Sequence, residues 1–275
     1  IVHLGAHPVF VDVKPDQNIN PELIEKSITK KTKAIMVVHL TGRVCEMDKI
    51  TKISKKYGIP IIEDAAQSIG SKFGEKFAGS FGEIGCFSAH PLKNLNAIGD
   101  SGYLTTNSSK IAKYIRDISN HGMTNRNKIK HFGYVSRMDN LQAAILNLRL
   151  KKLKKVIQKR RNNASIYVKN LNNKFVYIPK ESQKEFNSYH TFVVQVKKRD
   201  KLQKYLKMKG IGTAIHYPIP IHLQPAFKKL KFTTNALPET VKQSNIIITL
   251  PIHQFLKKFE IEKICQEINI FYENK

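Results

Sequence analysis

The sequence has little that would tie it to a membrane, a metal or an oxidising compartment. Its three cysteines, Cys45, Cys86 and Cys265, are odd in number and far apart with no CxxC pair. They suggest neither a disulfide framework nor a thiolate metal site, and they read as small buried hydrophobes. No uninterrupted apolar run is long enough to cross a bilayer, and the opening Ile1-Val-His-Leu-Gly5 lacks the charged leader and small-residue cleavage site of a secretory signal. A cytoplasmic location with no membrane partner is the expectation. Low-complexity tracts are missing too. With 41% hydrophobic and 25% charged residues, 11 Pro and 14 Gly, the 275 residues have the composition of a globular protein long enough for one large or two ordinary domains.

Acidic residues are also scarce, 21 against 47 Lys and Arg, for a formal net charge of +26. A basic surface gains affinity for phosphates by releasing counterions, so nucleic acid is the first partner such a charge suggests. The distribution argues against it. The cations are scattered as short pairs such as Lys30-Lys31, Lys55-Lys56 and Lys197-Lys198, and they are dense only from Lys151 to Arg161. There they fall on a helical pattern and form a solvated face, and no nucleic-acid motif accompanies them.

What is present is alternation of strand and helix. His7–Asp12 is a short extended run, Asn20-Pro21 opens a helix through Ile28 with a capping side chain and a proline at its first position, and Ala34–Leu40 is a continuous apolar strand. Met47–Tyr57 has helical apolar spacing, ends at Gly58 and runs into the strand Ile59–Asp64. Repetition of these units within about thirty residues indicates a mostly parallel sheet covered by helices, with its ligand site beyond the carboxyl ends of the strands.

Beyond one strand end stands Asp64-Ala-Ala-Gln67, and beyond the next, Ile84–Ser88, stands Ala89-His-Pro-Leu-Lys93. A carboxylate at one strand end, with a hydroxyl and an amine five residues apart at a neighbour, suits a phosphorylated carbonyl cofactor. The lysine forms the imine, the serine binds phosphate, and the aspartate keeps a pyridine nitrogen protonated. Each residue alone is weak, since an Asp there can cap a helix and a Ser can cap a turn.

With these residues in place, the sequence resembles the pyridoxal-phosphate-dependent sugar aminotransferases of the DegT/DnrJ/StrS type, of aspartate aminotransferase fold (fold type I). The matching stretches run in order: Gly5–Asp12, Ile28–Ile35, Val38–Leu40 with Gly42, Glu63–Gln67, Gly85–Ser88 through Lys93–Leu95, Gly99-Asp100 with Gly102, His121-Gly122, Ser136–Ala144 and Ile215–His222. The resemblance implies that Lys93 carries the imine and shuttles a proton, that Asp64 pairs with the pyridinium nitrogen, and that Gln67 lies against the ring. It also implies that Ser88 binds the phosphate and that His90 stands near the cofactor. Ser136 and Arg137 fall in a segment that such enzymes send across a homodimer interface, although the same pair could be a helix cap with a surface arginine. His216, Tyr217 and His222 fall in a loop that lies near the sugar in relatives, or else their prolines only stiffen a crossover. No metal is implied.

Two departures from the family pattern stand out. Val135 replaces the amide usual before Ser136, and the segment with a phosphate-cradling turn that precedes Gly5 in relatives is not in this sequence, so a truncated chain with a weakened cofactor site is expected. Residues 1–150 read as a partial large α/β domain. Residues 151–275 read as a smaller α+β domain with a long basic helix, a strand at Tyr189–Val196, a helix at Arg199–Met208 and a closing helix at Glu260–Tyr272. The implied reaction is transfer of an amino group, from glutamate with 2-oxoglutarate as its product, to a keto-sugar on a nucleoside diphosphate, in surface-glycan or antibiotic sugar synthesis. The wording around Ser136 and His216 is closer to members acting at the sugar's third carbon. The family's dehydratases carry histidine where Lys93 stands. A non-catalytic regulatory role is the alternative.

Overall fold

The computed structural model describes residues 1–230 and 236–274. Its elements are α1 (Pro21–Ser27), β1 (Ile35–Val38), α2 (Met47–Tyr57), β2 (Ile61–Asp64), β3 (Lys72–Phe73), β4 (Lys76–Phe77), β5 (Ile84–Ser88), β6 (Gly102–Thr105), α3 (Ser109–Ser119), β7 (Met123–Asn125) and β8 (Lys128–Ile129). There follow α4 (Asn140–Leu150), α5 (Leu153–Asn170), β9 (Val176–Tyr177), β10 (Glu185–Phe186), β11 (Phe192–Val196), α6 (Arg199–Met208), α7 (Pro238–Ile246), β12 (Ile247–Leu250) and α8 (Lys258–Glu273).

The first sheet has the order β1-β2-β5-β6, with β1, β2 and β5 parallel and β6 antiparallel at the edge. Local signals start and stop its helices as the sequence suggests. The Asn20 side chain accepts the Glu22 N–H at the start of α1, and α2 ends on Gly58 in the left-handed region (φ 64°). Ile35, Val37 and Ile61 face a core with Ile24, Met47 and Ile50 from the two helices, while Met36, Val38 and Cys86 on the other face are exposed. A second core lies between the antiparallel sheet β12-β11-β9 and helices α5, α6 and α8, around Tyr167, Phe192, Leu202, Ile248 and Ile261. A smaller cluster, including Ala89, Leu95, Leu146 and Ile157, joins α4 and α5 to the loop after β5.

Three sequence expectations shift. Residues 7–12 join no sheet strand, and their neighbourhood contributes only the bridge Val13–Ile19. The helical pattern from Ala143 to Ile157 is split between two helices, α4 and α5, that part at Lys151-Lys152, while the long basic helix expected after residue 150 is α5. The strand expected from Tyr189 begins at Phe192, because Tyr189 has a left-handed φ of 47°.

The segment around residue 12 is instead fixed by polar contacts to the C-terminal elements. Asp12 accepts hydrogen bonds from the Glu239 and Thr240 N–H groups (both 2.9 Å) and the Thr240 hydroxyl (2.6 Å), capping α7 from across the chain where Leu237 offers no side-chain cap. Gln243 and Gln195 donate to the backbone carbonyls of Lys14 and Pro15.

Within β2, alternation places Glu63 inside and Asp64 on the opposite face. Glu63 is fully buried beside His39 (2.9 Å), and its two oxygens also accept the N–H groups of Gly79 (2.7 Å), Phe81 (2.6 Å) and Gly82 (2.7 Å). The His39 Nδ1 accepts the Cys45 N–H, which leaves Nε2 as the donor to Glu63. Burial pushes the Glu63 carboxyl up, but the bonds from His39, Gly82 and Gly79 outweigh it and hold it below its ordinary 4.5. A carboxyl depressed in the folded state stabilises fully above its unfolded value, and that contribution is lost as pH falls through the lower folded value. Glu63→Gln would turn an amide N–H₂ toward donors, and it should cost about 2–4 kcal/mol in urea unfolding at neutral pH, with the difference shrinking below about pH 4. An unchanged midpoint would contradict the cage. Asp12→Ala should cost about 1–2 kcal/mol and lower the thermal midpoint by a few degrees. Equal melting of variant and parent would remove the cap from the account.

Candidate active site

The carboxyl ends of β2 and β5 lie side by side, since Asp64 pairs in register with Cys86 and the Ala65 N–H donates to the Cys86 carbonyl (2.8 Å). Asp64 tops β2, with one oxygen taking the Ala66 N–H (3.0 Å), so the chain turns at once out of the strand. Ser88 tops β5, and its hydroxyl is 3.4 Å from the His90 N–H. A turn follows in which the Lys93 N–H donates to the His90 carbonyl (2.9 Å) and Ala97 returns to Ala89 (2.8 Å), bringing Lys93 back toward the sheet.

Lys93 is half-buried. Burial pushes its ammonium down and the Asp64 carboxylate pulls it part of the way back, leaving it below the usual lysine range. A lysine biased toward its free amine is a competent nucleophile for a carbonyl. Gln67 is oriented by its oxygen, which accepts the Thr41 N–H (2.7 Å), leaving its amide N–H₂ as the donor end. Thr41 (φ 63°) and Gly42 (φ 99°) make this turn, and a Cβ on Gly42 would lie 2.8 Å from Ser188 Oγ and 2.9 Å from the His190 nitrogen.

The structure thus gathers Asp64, Gln67, Ser88 and Lys93 at one edge. His90 adjoins them but is exposed, with Asp100 3.9 Å from its Nε2. Ser136 and Arg137 are exposed between β8 and α4 and make no side-chain contact with the Lys93 group among the described residues. His216 does join the site: its Nδ1 is 2.9 Å from Thr249 Oγ1, and burial together with the nearby Lys93 charge pushes its imidazole down. Tyr217 is exposed, whereas His222 is buried, and the charge acting on it is that of Asp12. Two residues at the site lay outside the sequence reading. His190 is pushed down to about 3 by burial, with Lys93, Arg160 and His216 adding to the effect. Arg160 is itself buried and pushed down to about 10, and it donates to the Tyr189 and His190 carbonyls (3.0 and 3.1 Å). Neither has a motif around it, and only the reading of Tyr189–Val196 as a core strand pointed to that region.

The donor set fits pyridoxal phosphate: an amine with lowered proton affinity, a carboxylate across from it, an amide N–H₂ with no protein partner among the described residues, and a hydroxyl at a strand end. Val135 is exposed and brings no donor.

A sequence model of the DegT/DnrJ/EryC1/StrS aminotransferase family matches residues 1–269. A protein of Geobacillus stearothermophilus named a pleiotropic regulatory protein is 39% identical over 99% of this chain and 74% of its own length. The dTDP-3-amino-3,6-dideoxy-alpha-D-galactopyranose transaminase of Aneurinibacillus thermoaerophilus is also 39% identical, over 96% of this chain and 73% of its own. The crystal structure of S. venezuelae DesV in complex with a ketimine intermediate superposes with a TM-score of 0.93 at 31% identity, covering 97% of this chain and 72% of that one. The fold is that of the type I pyridoxal-phosphate enzymes. Placed beside the strand-end lysine, aspartate and serine, these likenesses show that the chain belongs to the DegT/DnrJ/EryC1/StrS aminotransferase family, whose members depend on pyridoxal phosphate.

Proposed function

We propose that this protein transfers an amino group from glutamate to the third-carbon carbonyl of a nucleoside-diphosphate keto-sugar, as a cytoplasmic homodimer serving surface-glycan or antibiotic sugar synthesis. The observation that carries the reading is a lysine held toward its free amine opposite a strand-end carboxylate. The substrate class is supported by the Aneurinibacillus relative, named for a dTDP-3-amino sugar, and by the Ile215–His222 stretch. The basic balance suits a diphosphate.

Bound pyridoxal phosphate supplies a carbonyl that condenses with amines and a ring that accepts electrons from the bond losing its proton. Lys93 would hold the cofactor through its Nζ, and the same amine would move the proton to and from the substrate carbon. Asp64 would hold a proton on the cofactor's pyridine nitrogen. Gln67 would offer its amide N–H₂ to the cofactor's phenolic oxygen and Ser88 its hydroxyl to the phosphate, with His90 beside them. His216, Tyr217 and His222 line the sugar side, and Ser136 and Arg137 reach a partner subunit's site. In support of a second subunit, the segment between β8 and α4 presents Phe132, Tyr134 and Val135 to solvent, and α4 presents Leu141 and Leu148.

Lys93→Ala should abolish the visible absorbance band that appears when pyridoxal phosphate is added, together with glutamate-dependent transamination, while far-ultraviolet circular dichroism stays unchanged. Retained transamination would sink the mechanism. A wild-type chain that gives no band would favour the regulatory reading that the Geobacillus relative's name suggests. Sedimentation velocity should give twice the mass of one chain, and a single-chain mass at micromolar concentration would remove the partner's share of the site.

A further inference from the structure

The segment Asn187–Thr191 is tied down on every side before the chain enters β11. Asn94, the neighbour of Lys93, donates to the Ser188 carbonyl (3.0 Å), and Ser71 Oγ meets Ser188 Oγ (2.8 Å). The Thr191 N–H donates to the Thr41 carbonyl (3.2 Å), and Arg160 holds the carbonyls of Tyr189 and His190. Tyr189 is kept at φ 47°, a conformation that a non-glycine residue holds only when its surroundings impose it. The effect of this bracing is to hold the His190 ring near enough for the Lys93 charge to act on it, with its Nδ1 buried and without a hydrogen-bond partner. The charges that act on this ring are all cationic, Lys93, Arg160 and His216, and no carboxylate does; Asp64 is the acidic group facing Lys93. A neutral imidazole among cations turns a bare nitrogen toward them.

We propose that His190 is a positioning residue for Lys93, its buried Nδ1 accepting a hydrogen bond from the Lys93 amino group whenever that group is free of the cofactor. The proposal rests on the reading of Lys93 as the cofactor-linked lysine, and it gives that side chain a fixed place to return to. A hydrogen bond from the ammonium to Nδ1 also favours the charged form, working with Asp64 against burial. Leucine at this position lacks the acceptor, whereas glutamine retains one.

The test is competitive acetylation of Lys93 in the cofactor-free full chain from about pH 6 to about pH 11, read by peptide mass spectrometry in wild type, His190→Leu and His190→Gln. The leucine variant should label at lower pH, about five- to tenfold faster than wild type below the midpoint, with the glutamine variant close to wild type. Identical curves for all three, or equal shifts in both variants, would overturn the proposal in favour of simple packing. Should the leucine variant fail to fold, the ¹⁵N shift of His190 Nδ1 decides: it should report an acceptor nitrogen and move on Lys93→Ala, and an unmoved signal overturns it. Failure of the cofactor reading would appear separately, as a wild-type chain with no visible band, and would leave the labelling curves as they are.

Discussion

The Glu63 carboxylate is the constraint on which the site depends. A buried charge persists only if every lone pair is occupied, and here the donors come from three places: His39 at the end of β1 and two points of the 79–82 turn. The turn reaches the carboxylate only by passing very close to the sheet. A Cβ on Gly82 would lie 2.4 Å from the Ile61 carbonyl oxygen, and one on Gly85 would lie 2.4 Å from the Gly79 Cα. Those contacts fix β2 against β1 and β5, and a strand so fixed cannot slip. A one-residue slip would carry Asp64 into the cage and Glu63 into the site, so the buried carboxylate sets the register of the one at the strand end.

The C-terminal elements reach the same centre by a different route. Their own core is apolar and forms a separate cluster, but polar ties bring them over the first sheet, among them Asp12 on α7, Gln195 and Gln243 on the Pro15 and Lys14 carbonyls, and the braced segment from Asn187 to Thr191. Thr41 is shared, giving its N–H to Gln67 and its carbonyl to Thr191. The orientation of Gln67 on one side and the approach of His190 on the other are thereby set by one peptide turn.

What could be read from the sequence was what is local. Capping at Asn20-Pro21, the Gly58 stop, the helix Arg199–Met208 and the strand-end placement of Asp64, Ser88 and Lys93 all follow from neighbours within a few residues, and the structure has them there. What escaped is non-local. Nothing near Asp12 announces that it caps a helix more than two hundred residues away, so His7–Asp12 read as a strand from its apolar residues alone. Tyr189 and His190 run straight into the apolar pattern of β11, and only the bonds from Arg160 and Asn94 show why the backbone there is not yet a strand. Buried Arg160, inside a run of surface lysines, looked like one more solvated cation.

That arginine bears on the charge as a whole. The net +26 is spread over the surface, where salt screens it, but the centre repeats the imbalance in miniature: Lys93, Arg160, His190 and His216 converge with Asp64 as the acidic group acting on the lysine. In a half-buried site such an excess cannot be screened well, and it is relieved in two ways. One lies in proton affinity: burial pushes both histidines and Lys93 down, and neighbouring cations add to it at the histidines. The other relief is an anion. A phosphorylated ligand entering this edge would meet groups already favouring negative charge, and its arrival would raise the proton affinity of those same groups. Ligand binding and protonation at this centre are therefore linked: basic groups held toward their neutral forms without an anion would hold their protons more tightly with one.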